Sequence, residues 1–237
     1  MLIRIEKYLS EQGIMSRREA KKYLLEGLIE INNKKPQPGD KINPEKDKIT
    51  YAKSIQKNLS EKITVAVYKP RGILSSKDTD KGKNIFQSFP QFKDLNTVGR
   101  LDKESEGLIL LSNDGMITKA VTGKDHNIEK EYVVTVRENY LPWMAKKMSQ
   151  GMKLQDGWTL PARASRVDEH TFKIILKEGR KHQIRRMANE CKLTVTSLKR
   201  IRVHTIKIDG MLPGNFKKLT VDEISDIKKV GKVKNSS

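Results

Sequence analysis

A single cysteine, Cys191, in 237 residues leaves no partner for an intramolecular disulfide and fits a reducing compartment. No stretch approaches the ~18 consecutive apolar residues of a membrane span, so no membrane association is expected. The N-terminal MLIRIEKYLS places Arg4, Glu6 and Lys7 where a signal peptide would need apolar residues, so a cytoplasmic location is expected. The histidines (His126, His170, His182, His204) form no close pair, and no metal site is expected. Neither a P-loop nor the G-x-G-x-x-G fingerprint of dinucleotide sites occurs, nor an H-E-x-x-H pair, so the usual signals of ATP-driven, dinucleotide-dependent and metal-hydrolytic chemistry are missing. Any catalysis is then expected to rest on side chains without a cofactor. Acids are scarce too. Lys plus Arg number 48 against 29 Asp plus Glu, a formal charge of +19 that suggests nucleic acid as a partner, although solubility alone accounts for some of it.

What is present divides the chain in two. Ile5, Tyr8 and Leu9 recur at helical spacing up to Gly13. Ser16-Arg17-Arg18-Glu19 is a capping box opening a second helix, with Ala20, Tyr23 and Leu24 facing inward and Gly27 as its stop. A hairpin should follow, from Ile29-Glu30-Ile31 to a strand near Ile42. The second helix stacks Arg17 with Lys21 and Arg18 with Lys22 at i, i+4, doubling positive charge. Residues 1–55 thus read as a small module, and the polar, aperiodic stretch from about Thr50 to Lys62 as a linker centred on 56–61.

The remainder, 62–230, reads mainly as strands: Ile63–Tyr68, Gly107–Ser112, Glu131–Val136, Thr171–Lys177, Leu193–Thr196 and Val203–Ile208. Asn113-Asp114-Gly115 reads as a turn. Helices are expected over Leu141–Gln150 and Arg180–Cys191, with a last one capped by Thr220, and the tail 231–237 is expected to be disordered. The fold class is α+β: a small α-β domain followed by a mainly antiparallel sheet with flanking helices.

Two stretches stand out chemically. Val98–Gly107 (VGRLDKESEG) packs five charges into a glycine-flanked loop at the mouth of a buried strand, where catalytic groups are often presented, although composition alone favours a solvated turn with a local Arg100–Asp102 or Lys103–Glu106 pair. Lys177–Met187 (KEGRKHQIRRM) opens a segment to Lys207 with ten Lys/Arg and two acids, Glu178 and Glu190. A helix from Arg180 would align Lys181 with Arg185 and His182 with Arg186, which suits phosphate contacts; a solvated basic face is the alternative.

Lys69-Pro70-Arg71-Gly72, then GRLDKESEGLILLSNDG (Gly99–Gly115), Lys130-Glu131-Tyr132 and EGRKHQIRRM (Glu178–Met187) resemble, in order, the motifs of pseudouridine synthases, and most closely the bacterial branch acting on ribosomal RNA. Residues 1–50 resemble, through LxxYLSxxGxxSRREA, the small RNA-binding domain of ribosomal protein S-four that many members carry. The resemblance implies isomerisation of a specific uridine to pseudouridine, most readily in 23S ribosomal RNA or an assembly intermediate, with 16S RNA or transfer RNA as alternatives. A non-catalytic ribosome-assembly protein on the same fold is the rival reading, and a monomer is expected. Asp102 matches the essential aspartate, acting as nucleophile or as base at the ribose. Tyr132 matches the aromatic that stacks on the target base, Arg185 a basic residue paired with the aspartate, and Arg100 the arginine that fills the gap left by the flipped base. Ser16, Arg17, Arg18, Lys21, Lys22 and Lys34, with Arg180, Lys181 and Arg186, are the expected RNA contacts. Many relatives carry a His-Pro step before the Lys-x-Tyr motif; Gly123–Glu129 here has no proline.

Overall fold

The computed structural model describes residues 2–77, 82–123 and 128–230, which leaves 231–237 and the centre of the Gly123–Glu129 stretch outside the described residues. The dominant element is a nine-stranded sheet. Its main path runs Arg163–Arg166, Thr171–Leu176, Lys130–Val136, Val195–Val203, Glu106–Ser112, Thr64–Lys69 and Phe216–Lys218. Asn96–Val98 also pairs with Glu106–Ser112, and Ile206–Lys207 with Val195–Val203. Glu106–Ser112 and Val195–Val203 run parallel, with Gly107 opposite Arg200. The other pairs in this sheet are antiparallel.

Alternation along the strands sends side chains to opposite faces. Val65, Val67, Ile109 and Leu111 join one buried cluster with Tyr132, Val134, Phe172 and Ile184; Ala66, Tyr68, Leu108 and Leu110 join another with Ile117, Val121 and Ile227. A third cluster, including Ile5, Leu9, Ala20, Leu24, Ile29, Ile42 and Ile55, belongs to the N-terminal residues. The Arg17–Leu25 helix begins with the expected capping box, Ser16 Oγ accepting from Glu19 N–H at 3.3 Å and Glu19 Oε2 accepting from Ser16 N–H at 2.8 Å.

Several elements differ from expectation. Ile29–Ile31 pairs with Ile49–Tyr51 rather than with the strand at Ile42, which pairs instead with Ile3–Arg4. Lys53–Ser60 is a helix, not a linker: Ile55 and Leu59, one turn apart, turn a single apolar stripe into the N-terminal core. Asp114 is not in a simple turn. Its carboxylate accepts from Met116 N–H at 2.9 Å and caps a helix over Gly115–Thr122. The helix expected from Arg180 starts at Gln183, because His182 adopts a left-handed conformation (φ +51°) just before it. The strand expected at Leu193–Thr196 runs instead over Val195–Val203, and the one expected at Val203–Ile208 is the short Ile206–Lys207 paired back onto it.

The N-terminal residues pack against the sheet domain through that same helix start. A Cβ on Gly115 would lie 2.4 Å from Ser16 Cβ. Asp114, 2% exposed, is 3.3 Å from Lys62 Nζ and 2.6 Å from Lys228 Nζ. Lys62 continues to Glu19 at 3.4 Å. Burial opposes ionisation of Asp114, but Lys228 and Lys62 outweigh it and hold its carboxyl below the ordinary value.

Candidate active site

The loop ahead of Glu106–Ser112 is held from below by the Lys69–Gly72 turn. Lys69 has no exposed surface, and its Nζ donates to the carbonyls of Pro70 (3.0 Å), Ile73 (2.8 Å) and Lys103 (3.5 Å). Gly72 N–H donates to the same Lys103 carbonyl at 2.8 Å. Ser75 Oγ donates to the Leu101 carbonyl at 2.7 Å and accepts from Leu101 N–H at 3.1 Å. Asp102 is thereby fixed from both sides, with its side chain 36% exposed. Burial lowers Lys69 to about 8, while Asp102, Glu104 and Glu106 pull it back toward the charged form.

Asp102 opens onto a cleft of about 1010 Å³. The exposed Arg100, Lys103, Lys181 and His182 line it alongside Tyr132, Lys130 and Arg200. Tyr132 sits opposite Arg200 in the sheet register and is 8% exposed, so it belongs both to the apolar core and to the cleft wall. Arg200, 3% exposed, donates from Nε to the Leu108 carbonyl at 2.6 Å and from Nη1 to the Arg100 carbonyl at 3.5 Å. Burial first, and Arg200 second, lower Lys130 to about 8.

The structure corrects three expectations about charge. Arg185 does not hold the Asp102 carboxylate: its guanidinium donates to the carbonyls of Val195 and Glu104, both at 3.2 Å, tying the loop's backbone to the neighbouring strand. The side chain facing Asp102 is His182, with Nε2 3.3 Å from Oδ1, placed there by the left-handed turn. Arg180 and Arg186 are not free for phosphate. Arg180 pairs with Glu178 at 3.0 Å and donates to the carbonyls of Asp156, Gly157 and Trp158. Arg186 grips both oxygens of Asp156 at 2.8 and 3.0 Å, and that hydrogen-bonded pairing lowers the Asp156 carboxyl. Lys181 stays exposed.

On the N-terminal module Arg17, Arg18, Lys21, Lys22 and Lys34 are exposed. Ser16 is half-buried, its hydroxyl accepting the Glu19 N–H at the helix start and its Cβ facing Gly115. Sequence reasoning passed over Ser75, His182, Lys130 and Arg200 as site residues. Arg200 left a signal: it alternates with Leu198 on the inward face of Val195–Val203, an unusual place for an arginine unless a site needs it. Among the described residues no group of three His, Cys, Asp or Glu is arranged to hold a metal, and no helix is long and apolar enough to cross a membrane.

A mixed sheet presenting an aspartate loop, a tyrosine and a basic rim around one cleft is the architecture of an RNA-modifying enzyme, and the sequence model of RNA pseudouridylate synthases matches residues 63–190. The chain belongs to that family. It is 33% identical over 238 aligned residues to the dual-specificity RNA pseudouridine synthase RluF of Escherichia coli, covering 99% of this chain and 81% of that one. Ribosomal large subunit pseudouridine synthase B of Bacillus subtilis is 29% identical, with 95% of each chain covered. A solved pseudouridylate synthase superposes with a TM-score of 0.68 over 96% of this chain and 99% of its own, at 25% identity.

Proposed function

We propose that the protein converts a uridine of 23S ribosomal RNA to pseudouridine, with Asp102 as the catalytic group. One observation carries the reading. The Asp102 carboxylate stands at the mouth of a cleft walled by Tyr132 and rimmed by exposed cations. The reaction is an isomerisation. The bond from ribose carbon 1′ to N1 breaks, the base turns, carbon 5 bonds to carbon 1′, and the carbon-5 proton is exchanged for one on N1. It consumes no energy source. The target uridine must leave its stack at a cost of about a few kcal/mol, and stacking on Tyr132 returns roughly 1–3 kcal/mol. Arg100, exposed beside the aspartate, fills the space the base vacates. Arg185 acts through the backbone of the Asp102 loop. The N-terminal module, like that of ribosomal protein S-four, grips RNA through Arg17, Arg18, Lys21, Lys22 and Lys34, and the protein works as a cytoplasmic monomer. The large-subunit substrate is supported by the name of the Bacillus subtilis relative.

The test is tritium release from carbon-5-labelled transcripts of 23S RNA, 16S RNA and transfer RNA. Release from 23S RNA alone is expected; release only from another RNA would move the target, and none at all would favour a non-catalytic assembly role. Asp102→Asn should abolish release while leaving RNA affinity within a few-fold, because it removes one anionic group from a basic footprint. Turnover by that variant near the wild-type rate would refute the assignment.

A further inference from the structure

Ser105 lies three residues beyond Asp102, where the loop enters the central strand. Its N–H donates to the Asp102 carbonyl at 3.0 Å, and the residue is 1% exposed. Its hydroxyl is buried with no hydrogen-bond partner. Two other side-chain atoms among the described residues share that condition, Glu6 Oε2 and Arg186 Nε, and neither of their residues lines the cleft, whereas Ser105 does. A buried hydroxyl without a partner destabilises a fold, so alanine would serve better here on stability grounds alone. Something outside the chain is then needed to complete it.

The surroundings define that something. Arg200, whose backbone lies opposite Gly107 in the register, two residues along from Ser105, lines the same cleft. Hydroxyl and guanidinium both donate hydrogen bonds. Phosphates have other partners in the exposed Lys103 and Lys181. Two donors in a cleft that Tyr132 also lines suit the carbonyl oxygens of a pyrimidine.

We propose that Ser105 Oγ contacts the substrate, donating a hydrogen bond to a carbonyl oxygen of the uracil that enters the cleft beside Arg200; this rests on the pseudouridine synthase reading above. When the glycosidic bond breaks, its electron pair leaves with the base, and negative charge spreads onto the ring carbonyls. A pre-placed donor is worth more at that moment than in the ground state.

The experiment is Ser105→Ala, measured by thermal melting, RNA affinity and single-turnover tritium release from the ribosomal RNA transcript on which the wild type is active. Expected are an unchanged or raised melting temperature, unchanged affinity, and a rate at saturating enzyme lowered roughly 10- to 100-fold. Ser105→Thr, which keeps the hydroxyl, should recover most of the rate. A raised melting temperature with an undiminished rate would overturn the proposal, as would a lowered melting temperature, which would mean the hydroxyl has a structural partner. Silence of the wild type on every RNA would instead overturn the functional reading itself.

Discussion

Lys69 shows how one residue can serve a site without touching it. A lysine with no exposed surface must be satisfied internally, and three carbonyls do this, one of them in the Asp102 loop. Burial still disfavours its charge and brings it from 10.5 to about 8. The consequence for stability has a definite sign. Between those values the unfolded chain holds a proton that the folded chain lacks, so stability rises with pH across the window; below it both states are protonated and the full cost remains. Lys69→Met deletes this titration. The stability of the wild type minus that of the variant should therefore climb from about pH 8 to pH 10.5, by at most about 1.4 kcal/mol per pH unit. Lys130 is lowered alike but stays in both proteins and cancels. Urea melts giving parallel pH curves for the two proteins would show that Lys69 keeps its ordinary titration. At this scale the sequence spoke unevenly. Asp102 and Tyr132 stood in recognisable motifs and share the cleft. The expected Asp102–Arg185 pair failed because motif spacing carries no information about a left-handed turn at His182, which swings an imidazole onto the carboxylate instead.

The parallel contact between Glu106–Ser112 and Val195–Val203 depends on Gly107. Its φ is +105°, a region L side chains rarely adopt, and a Cβ there would stand 2.3 Å from the Arg200 carbonyl oxygen, which is backbone and cannot swing aside. Gly107→Ala should thus cost about 2–5 kcal/mol, combining backbone strain with overpacking. It should also displace Arg200 from the cleft floor. Melting within a degree of wild type would mean the two strands slide apart at no cost. Elements with a strong local code were legible. The capping box at Ser16 and Glu19, the apolar run Gly107–Ser112 and the strand at Glu131–Val136 all correspond to observed structure. Those set by a single cap or a sparse stripe were not. Asn113-Asp114-Gly115 favours a turn locally, and only the Asp114 side chain on Met116 N–H converts it into a helix start. Lys53–Ser60 is polar enough to read as a linker, because two apolar residues suffice when a core is waiting for them.

For the whole molecule, the charge of +19 pointed to nucleic acid, but its distribution was hidden. Much of the basic segment near residue 180 is neutralised by acids distant in sequence, Asp156 above all. Asp114 likewise joins three regions, through Lys62 with Glu19 and through Lys228. Its carboxyl lies below 3.8, so its contribution is present above that pH and lost as pH falls through the folded value. Asp114→Asn should cost about 1–3 kcal/mol at neutral pH, with the gap to wild type closing in acid melts below about pH 4.

One exposed cationic face on the N-terminal module is that of the Arg17–Leu25 helix. Arg17, Arg18, Lys21 and Lys22 all project to solvent, and among the described residues their ion pairing is limited to the loose, exposed contact of Lys22 with Glu26 at 3.8 Å. A pair of that kind contributes little in water and yields readily to a phosphate. Each side chain that neutralises a phosphate adds about −0.7 to −0.9 to the slope of log affinity against log salt. Replacing all four by Gln should weaken RNA binding and flatten that slope by roughly 1–3 units, corresponding to one to three of them on phosphates. The cleft is untouched, since none of the four lines it. Single-turnover release at saturating enzyme should accordingly match wild type, with the loss confined to subsaturating enzyme. An unchanged slope would place the RNA on another face of the module. A collapsed rate at saturation, in a protein that still melts cooperatively, would mean instead that the contact between Ser16 and Gly115 transmits the module's position to the active site.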